Sequence, residues 1–238
     1  MSRVPAGSVL VLFDIDGTLV RAGDPAHHDA FDAALVSVFG VEATIAGVPL
    51  AGRLDHQIAR DALLAAGVDD DTIDAGLADL VAHMGAGYAE VVAPGARIER
   101  RLPGVPATLE RLLAAGVALG VVTGNAEPVG RAKLAAAGID HLLPFGGWGD
   151  HPVDRAGLVE VARIAAERHH GRPFPLDQTW VVGDTTLDVA GAHAAGARSL
   201  AVPTGPIGRD VLAAVGPDVL LDDLGDSDAV LAVVTDLG

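Results

Sequence analysis

The chain has 238 residues, a formal net charge of −16 and no cysteine, so disulfides and thiolate metal sites are excluded. The strong negative charge disfavours nucleic acid and anionic membranes as partners, since neither would meet a basic surface. Half of the residues are hydrophobic but only 3% are aromatic, and the start contains no apolar segment long enough for a signal peptide or membrane span, so we expect a cytoplasmic protein with a core of small side chains.

The first predicted element is the apolar run at residues 9–13, which indicates a strand buried on both faces, as in a parallel sheet. It ends in Asp14 and Asp16, followed by Gly17. Ligands of open α/β sheets gather at the carboxyl ends of the strands, so we expect both carboxylates to share one pocket. At about 4 Å and an effective dielectric of about 20 they would repel each other by about 4 kcal/mol, and they therefore need a proton, a cation or different environments. The same pattern also forms ordinary strand-ending turns, and the motif alone leaves this alternative open.

Helical spacing dominates the next part of the chain. Apolar residues recur with this spacing at residues 31–39, 54–66 and 77–92, and nothing between residues 21 and 101 resembles a buried parallel strand. The sequence therefore predicts a separate all-helical subdomain at residues 21–101, inserted into a core formed by residues 1–20 and 102–238.

Strands and helices alternate in the remainder of the chain. Strands are predicted at residues 117–122, 142–145, 179–182, 199–202 and 219–221, and helices at residues 107–115, 155–169 and 187–195, with a further helix ending near residue 137. This alternation predicts an α/β fold with a doubly wound, Rossmann-like parallel sheet, which the all-helical subdomain interrupts after the first strand.

Three of the predicted strands end in polar residues suited to phosphate chemistry. These residues are Asp14 with Asp16, then Thr123-Gly124-Asn125, and finally Asp184 with Asp188 four positions later. In this order, the motifs resemble those of the haloacid dehalogenase-like hydrolase superfamily, in particular its phosphoglycolate phosphatase-like branch. The resemblance covers nearly the whole chain, and the inserted helices stand where that family places its helical cap.

The resemblance implies roles for the acidic residues. Asp14 would be the nucleophile that forms an aspartyl-phosphate, and Asp16 would be the general acid and then the base that activates water. Asp184 would bind Mg²⁺ together with the Asp14 carboxylate and the Asp16 carbonyl oxygen. Asp188 would orient the residues of this site without binding the metal itself. An equally good account of Asp188 is a carboxylate that is favoured in the first turn of a helix.

Phosphate would be bound by the second motif and by a cation. The resemblance implies that the Thr123 hydroxyl and the backbone N–H groups of Gly124 and Asn125 bind phosphate oxygens, although Thr123 could instead be a plain helix N-cap. The cation is a choice between Arg155 and Lys133, the only lysine of the chain. Lys133 lies about 15 Å along a helix from Thr123, which predicts that it points to solvent. We therefore predict Arg155, whose fork can bind phosphate through two N–H groups.

The predicted function is a Mg²⁺-dependent hydrolase of small phosphomonoesters that acts on a small phosphorylated metabolite. A sugar phosphomutase keeps both acids and remains an alternative, as does a non-enzymatic module whose Asp14 only accepts phosphate. A carbon–halogen hydrolase typically lacks the second acid, so Asp16 argues against it. A phosphonatase of this family uses a cap lysine, and residues 21–101 contain none.

Overall fold

The computed structural model describes residues 8–236 and shows a six-stranded sheet in which every paired strand is parallel. The strands are β1 (Leu10–Phe13), β2 (Ala118–Val122), β3 (Gly146–Gly147), β4 (Thr179–Gly183), β5 (Arg198–Ala201) and β6 (Val219–Leu220). Their order is β3-β2-β1-β4-β5-β6, so the direction of winding reverses beside β1. Such a reversal opens a crevice at the carboxyl ends of the strands. The predicted Rossmann-like, doubly wound fold is confirmed.

Strand β1 is central, and its side chains alternate between two hydrophobic cores. Val11 and Phe13 pack into the core on one face of the sheet, whereas Leu10 and Leu12 pack into the core on the other. All four side chains are completely buried, as predicted for a strand with helices on both sides.

Three helices separate β1 from the rest of the sheet, and further helices alternate with the later strands. The first three are α1 (Pro25–Phe39), α2 (Asp55–Ala65) and α3 (Asp70–Val91), and the others are α4 (Val105–Ala114), α5 (Glu127–Ala136), α6 (Arg155–His170), α7 (Thr186–Ala195), α8 (Arg209–Ala214) and α9 (Ser227–Thr235). An inserted helical segment is thus present where the periodicity predicted it. The exact subdomain boundaries stay a prediction, and residues 1–7 and 237–238 of the predicted core lie outside the described residues.

The inserted helices share one hydrophobic cluster with the core helix α5. Phe31 of α1, Leu63 of α2 and Met84 of α3 are all buried in this cluster. Ala126 and Val129, at the start of α5, belong to the same cluster. The inserted segment that contains α1, α2 and α3, called the insert below, therefore packs directly against α5, the helix that follows β2. Within residues 8–236, no helix is both long and apolar enough to cross a membrane.

The third strand differs from its prediction at residues 142–145. A short 3-10 helix occupies Asp140–Leu142, and the strand pairing with β2 begins only at Gly146. Glycine has a low strand propensity, so a sequence pattern does not indicate a strand there. The Leu158 carbonyl approaches Gly147 so closely that a side chain would collide with it, which explains why glycine is needed. Helices α8 and α9 were also not predicted.

A buried hydrogen bond joins the start of α1 to α3. Asp24 is the N-cap of α1 and accepts from the Ala26 backbone N–H at 3.2 Å. The Tyr88 hydroxyl donates to the other oxygen of this carboxylate at 2.7 Å, and both side chains are buried. Burial and the adjacent Asp24 raise the pKa of Tyr88, so its phenol stays protonated and available as a donor.

Tyr88→Phe should therefore lower the free energy of unfolding by about 1.5–3 kcal/mol, because the buried Asp24 carboxylate loses a donor. Thr44→Val is the matched control, since it removes an exposed hydroxyl-to-carboxylate bond, from Thr44 to Asp32. We expect that change to cost less than about 0.5 kcal/mol. Urea denaturation of both variants checks the difference, and equal losses would contradict the importance given to the Asp24 contact.

Candidate active site

The carboxyl ends of β1, β2 and β4 meet the inserted helices around a cavity of about 700 Å³. Asp14 follows β1, Thr123 follows β2, and Asp184 follows β4. All three line the cavity, together with Asp16 and Arg155. Because the strands are parallel, motifs far apart in sequence converge at this edge of the sheet.

Three buried carboxylates form a cluster beneath the cavity. Oxygen atoms of Asp14, Asp184 and Asp188 lie within 4.8 Å of one another. Burial, reinforced by Asp188, raises the pKa of Asp14 above its ordinary value, although Arg155 opposes the shift. Burial and then repulsion from Asp14 and Asp188 raise the pKa of Asp184. Ionisation of Asp14 and Asp184 is therefore unfavourable in this buried cluster.

The surroundings of Asp184 fit a divalent cation. One carboxylate oxygen accepts from the Thr18 hydroxyl at 3.1 Å, whereas the other, Oδ2, is buried without a hydrogen-bond partner. Gly17 brings the β1 motif against this carboxylate with a φ of 92°, and a side chain at position 17 would overlap it. A buried carboxyl oxygen without a hydrogen-bond partner, in a group of other carboxyl oxygens, offers the oxygen ligands that hard cations prefer.

Arg155, at the start of α6, lies against two of these carboxylates. Its Nη2 atom is 3.2 Å from an Asp14 oxygen and contacts Asp188 as well. Burial alone would lower the pKa of Arg155, but Asp188 and Asp14 outweigh it and raise the pKa, so the guanidinium stays charged. Its Nε and Nη1 atoms are buried and have no acceptor. Two donor nitrogens of this cavity-lining residue thus have no hydrogen-bond partner.

Both oxygens of Asp188 already have partners. One contacts Arg155, and the other accepts from the Thr185 backbone N–H at 3.0 Å and its hydroxyl at 2.7 Å. With Thr185 it forms a capping box at the start of α7. The two sequence-based accounts of Asp188 are therefore compatible, because the same carboxylate caps a helix and orients Arg155.

The prediction that Lys133 points to solvent is wrong. Its ammonium group is 2.6 Å from Asp16 Oδ2 and 2.7 Å from Asn125 Oδ1, and the side chain is only 4% exposed. Residues 123–126 form a turn and α5 begins at Glu127, so Lys133 lies only about 9 Å along the helix. Helical side chains lean toward the N-terminus, which brings the long lysine back to the strand ends.

Lys133 also sets the state of Asp16. Burial alone would raise the pKa of Asp16, but the Lys133 charge and hydrogen bond outweigh it and lower the pKa. The third neighbour of the ammonium is His27 Nδ1 at 3.1 Å. An ammonium group has three donors, so all those of Lys133 are engaged, whereas Arg155 keeps unpaired ones.

The turn after β2 is held by its own side chains. Asn125 donates through Nδ2 to Thr123 Oγ1 and to Asp16 Oδ2, both at 2.8 Å, and its backbone N–H donates to Thr123 Oγ1 at 3.3 Å. Thr123 is not an N-cap, because α5 begins after Ala126 and has no side-chain cap. The Thr123 hydroxyl accepts these bonds and keeps its own proton for another acceptor.

The insert touches this turn directly. The Asp55 backbone N–H donates to the Gly124 carbonyl, and the Asp55 carboxylate accepts from the Ala126 backbone N–H, both at 2.8 Å. A side chain at Gly124 would collide with the Arg53 carbonyl, so glycine is required there by the approach of the insert. His27 lies 3.5 Å from Asp55 and links this contact to Lys133.

Sequence reasoning identified the acids but missed several of their partners. Thr18 and Thr185 donate to the acid cluster, and His27 and Asp55 come from the insert. A signal existed for one further residue: Lys133 is the only lysine in a strongly acidic chain. Thr18 lies in the turn that follows Asp16 and Gly17, whereas Thr185, His27 and Asp55 occupy ordinary capping or helical positions that no spacing distinguishes.

Comparison with known proteins gives consistent matches over most of the chain. The model of the haloacid dehalogenase-like hydrolase family matches residues 11–193. A phosphoglycolate phosphatase of Rhodospirillum rubrum is 32% identical over 227 residues, covering 91% of this chain and 89% of the relative. One from Cupriavidus necator is 30% identical over 245 residues, covering 97% and 96%. The crystal structure of a predicted phosphoglycolate phosphatase from Haemophilus somnus aligns with a TM-score of 0.61 and 26% identity, covering 93% of this chain and 96% of that one.

Lys133→Met should lower the free energy of unfolding by about 3 kcal/mol, the lower end for a broken buried ion pair, because the Asp16 side chain is 26% exposed. Arg131→Met is the matched control on the same helix. Arg131 pairs with Glu127 and lies over the Trp148 ring at 4.9 Å, but both charged side chains are more than 40% exposed, and we expect its loss to cost no more than about 1 kcal/mol.

Adding Asp16→Asn to Lys133→Met should restore part of the stability, since the unpaired carboxylate is then removed. Urea denaturation of the variants gives the comparison. A Lys133→Met protein as stable as the Arg131→Met control would mean that the contact with Asp16 contributes nothing.

Proposed function

The chain belongs to the haloacid dehalogenase-like hydrolase family, and on that premise we propose that it is a Mg²⁺-dependent phosphatase of small phosphomonoesters. The observation that carries the proposal is the position of Asp14. It lies at the end of β1, within a carboxylate cluster suited to a cation and beside an arginine with two unpaired donor nitrogens. A nucleophile, a cation site and phosphate donors thus face one cavity.

Asp14 attacks phosphorus and forms an aspartyl-phosphate as the bond to the leaving oxygen breaks. Asp16 supplies the proton that this oxygen needs, and its carboxylate then takes a proton from the water that hydrolyses the intermediate. Lys133 and Asn125 hold Asp16 in place and favour its ionised form, which the second step requires. For the first step, Asp16 must therefore take up a proton against this preference before the leaving oxygen departs. Hydrolysis of the intermediate regenerates Asp14.

Phosphate oxygens are bound by the turn after β2 and by α6. Thr123 offers its hydroxyl proton, and Gly124 and Asn125 complete the turn around the phosphate. Arg155 offers Nε and Nη1, which are buried and unpaired. This supports Arg155 over Lys133, whose donors are engaged by Asp16, Asn125 and His27.

The metal would be held by the carboxylates of Asp14 and Asp184 and by the Asp16 carbonyl oxygen, with Asp188 orienting Arg155 beside them. Bound there, Mg²⁺ neutralises charge on the cluster and on the transferring phosphoryl group. The unpartnered Asp184 Oδ2 supports this assignment, since a cation supplies the positive charge that no protein donor gives it.

Asp14→Asn should abolish steady phosphate release from p-nitrophenyl phosphate in Mg²⁺ without loss of the folded state, because an amide is a poor nucleophile. Asp140→Asn, at an exposed position in a 3-10 helix, is the control and should keep full activity. Turnover by the folded Asp14→Asn protein would refute the assignment. Release of a single equivalent of p-nitrophenol by the wild type, without steady phosphate release, would instead indicate a phosphate-accepting module.

Metal binding can be measured without catalysis. Mg²⁺ at about 100 times its dissociation constant should add about 2.7 kcal/mol of stability, which raises Tm by roughly 5–10 °C. Asp184→Asn should abolish this shift, and without metal it should be at least as stable as the wild type, because carboxylate repulsion is relieved. Asp140→Asn should retain the full shift. NaCl at equal ionic strength controls for screening, and an unchanged shift in Asp184→Asn would refute this ligand.

Arg155→Ala should lower kcat/KM by about tenfold to a hundredfold, as expected for the loss of charge-assisted hydrogen bonds. Arg155→Lys should recover only part of this loss, because one ammonium cannot replace the guanidinium fork. Arg163→Ala, on the same helix but paired with Glu160 and Glu167, is the matched control and should leave kcat/KM unchanged. Full activity of Arg155→Ala would exclude Arg155 as the phosphate ligand.

A further inference from the structure

The cavity above the acid cluster has a second, apolar side formed by the insert. Phe31 of α1, Ile58 of α2, and Ile45 and Leu50 from the segment between these helices line it. The first three are at most 4% exposed, and Leu50 is half-buried. The leaving group of a phosphomonoester bound at Asp14 would extend toward this wall, because the phosphate itself occupies the strand ends.

The charged groups on the insert side do not favour a second anion. Asp24 and Asp55 both line the cavity and are buried carboxylates, bonded to Tyr88 and to the Ala126 backbone. An anionic leaving group held against this wall would share the cavity with both of them. Repulsion between these like charges would weaken its binding.

The cations that line the cavity are already engaged or lie at its rim. Lys133 is bonded to three acceptors, and Arg155 lies at the phosphate end. Arg53 pairs with Asp61 at 2.7 Å, and Arg21 and His28 are exposed. Among the described residues that line the insert side, His27 Nε2 is a buried nitrogen without a hydrogen-bond partner, but it already lies 3.5 Å from the Asp55 carboxylate. A carboxylate held there would therefore lose its hydration with little compensation.

The size of the cavity also favours a leaving group with more than two carbons. At about 700 Å³ it falls in the range of pockets that enclose drug-sized ligands, far above the needs of a phosphate with a two-carbon group. An apolar leaving group bound against the apolar wall would be stabilised because its apolar surface is removed from water.

We propose that the substrates are phosphomonoesters of uncharged, largely apolar alcohols with more than two carbons, whose apolar part packs between Phe31, Ile45, Leu50 and Ile58. This inference rests on the proposed phosphatase function and specifies its substrate class. The reaction is hydrolysis, in which the bond between phosphorus and the alcohol oxygen breaks. Water supplies the oxygen that the phosphate gains, and the alcohol leaves with a proton.

A series of primary alkyl phosphates tests the inference, because their alcohols have similar acidity and differ mainly in apolar surface. We would measure kcat/KM for ethyl, butyl, hexyl and 2-phenylethyl phosphate, with 2-phosphoglycolate as the small anionic ester. Each buried CH₂ group should raise kcat/KM up to about fourfold, so hexyl phosphate should exceed ethyl phosphate by at least about tenfold. We expect 2-phosphoglycolate to fall well below hexyl phosphate.

Variants of the wall test where the apolar part binds. Leu50→Ser, at a half-buried position, should reduce the ratio of hexyl to ethyl kcat/KM by about threefold or more. Phe31→Leu should reduce the ratio for 2-phenylethyl phosphate. Leu64→Ser is the matched control, since Leu64 is 45% exposed on α2 and does not line the cavity, and it should leave both ratios unchanged.

Rising kcat/KM with chain length, reduced by Leu50→Ser but not by Leu64→Ser, supports the inference. A flat or falling series, or a preference for 2-phosphoglycolate, overturns the substrate class while phosphate release itself upholds the phosphatase. No release from any ester, p-nitrophenyl phosphate included, overturns both. The alkyl series with unmodified protein decides the question even if a variant fails to fold.

Discussion

The mutual repulsion of Asp14, Asp184 and Asp188 is the constraint on which the rest of the site depends. These carboxylates are buried within 4.8 Å of one another, where their charges are poorly screened. Arg155 contacts Asp14 and Asp188, and the hydroxyls of Thr18 and Thr185 donate to Asp184 and Asp188, respectively. One oxygen of Asp184, Oδ2, is left without a hydrogen-bond donor among the described residues. Repulsion among these carboxylates destabilises the folded protein. A cation bound among them would relieve the repulsion, and this relief would add to the affinity for the cation.

The location of this acid site could be predicted from the sequence because it follows from the topology of the sheet. A buried apolar strand that stops at polar residues marks one edge of a parallel sheet, and three such strands bring their ends together. Asp14, Thr123 and Asp184 could therefore be placed near one another without any knowledge of side-chain contacts. The inserted helices were equally predictable, since their apolar residues recur with helical spacing between residues 31 and 92.

What escaped prediction depends on packing between elements. The position of Lys133 depends on where α5 begins, and a shift of four residues at a helix start moves a side chain from solvent to the site. Strand β3 consists of two glycines, whose pairing depends on how closely α6 approaches. The contact of Asp55 with the turn after β2 depends on how the insert packs against the core. No local pattern encodes such long-range contacts.

The burial of Lys133 has a chemical consequence for work with this protein. It is the only lysine of the chain, and its amine is enclosed by Asp16, Asn125 and His27. An acylating reagent reacts with a neutral amine that it can reach, and here the amine is neither exposed nor free of acceptors. Modification at this position therefore requires the surrounding contacts to separate first. The rate at which a lysine-directed label appears at residue 133, read by mass spectrometry, measures how often the interior of the site opens, with no introduced probe and no other lysine to confuse the signal.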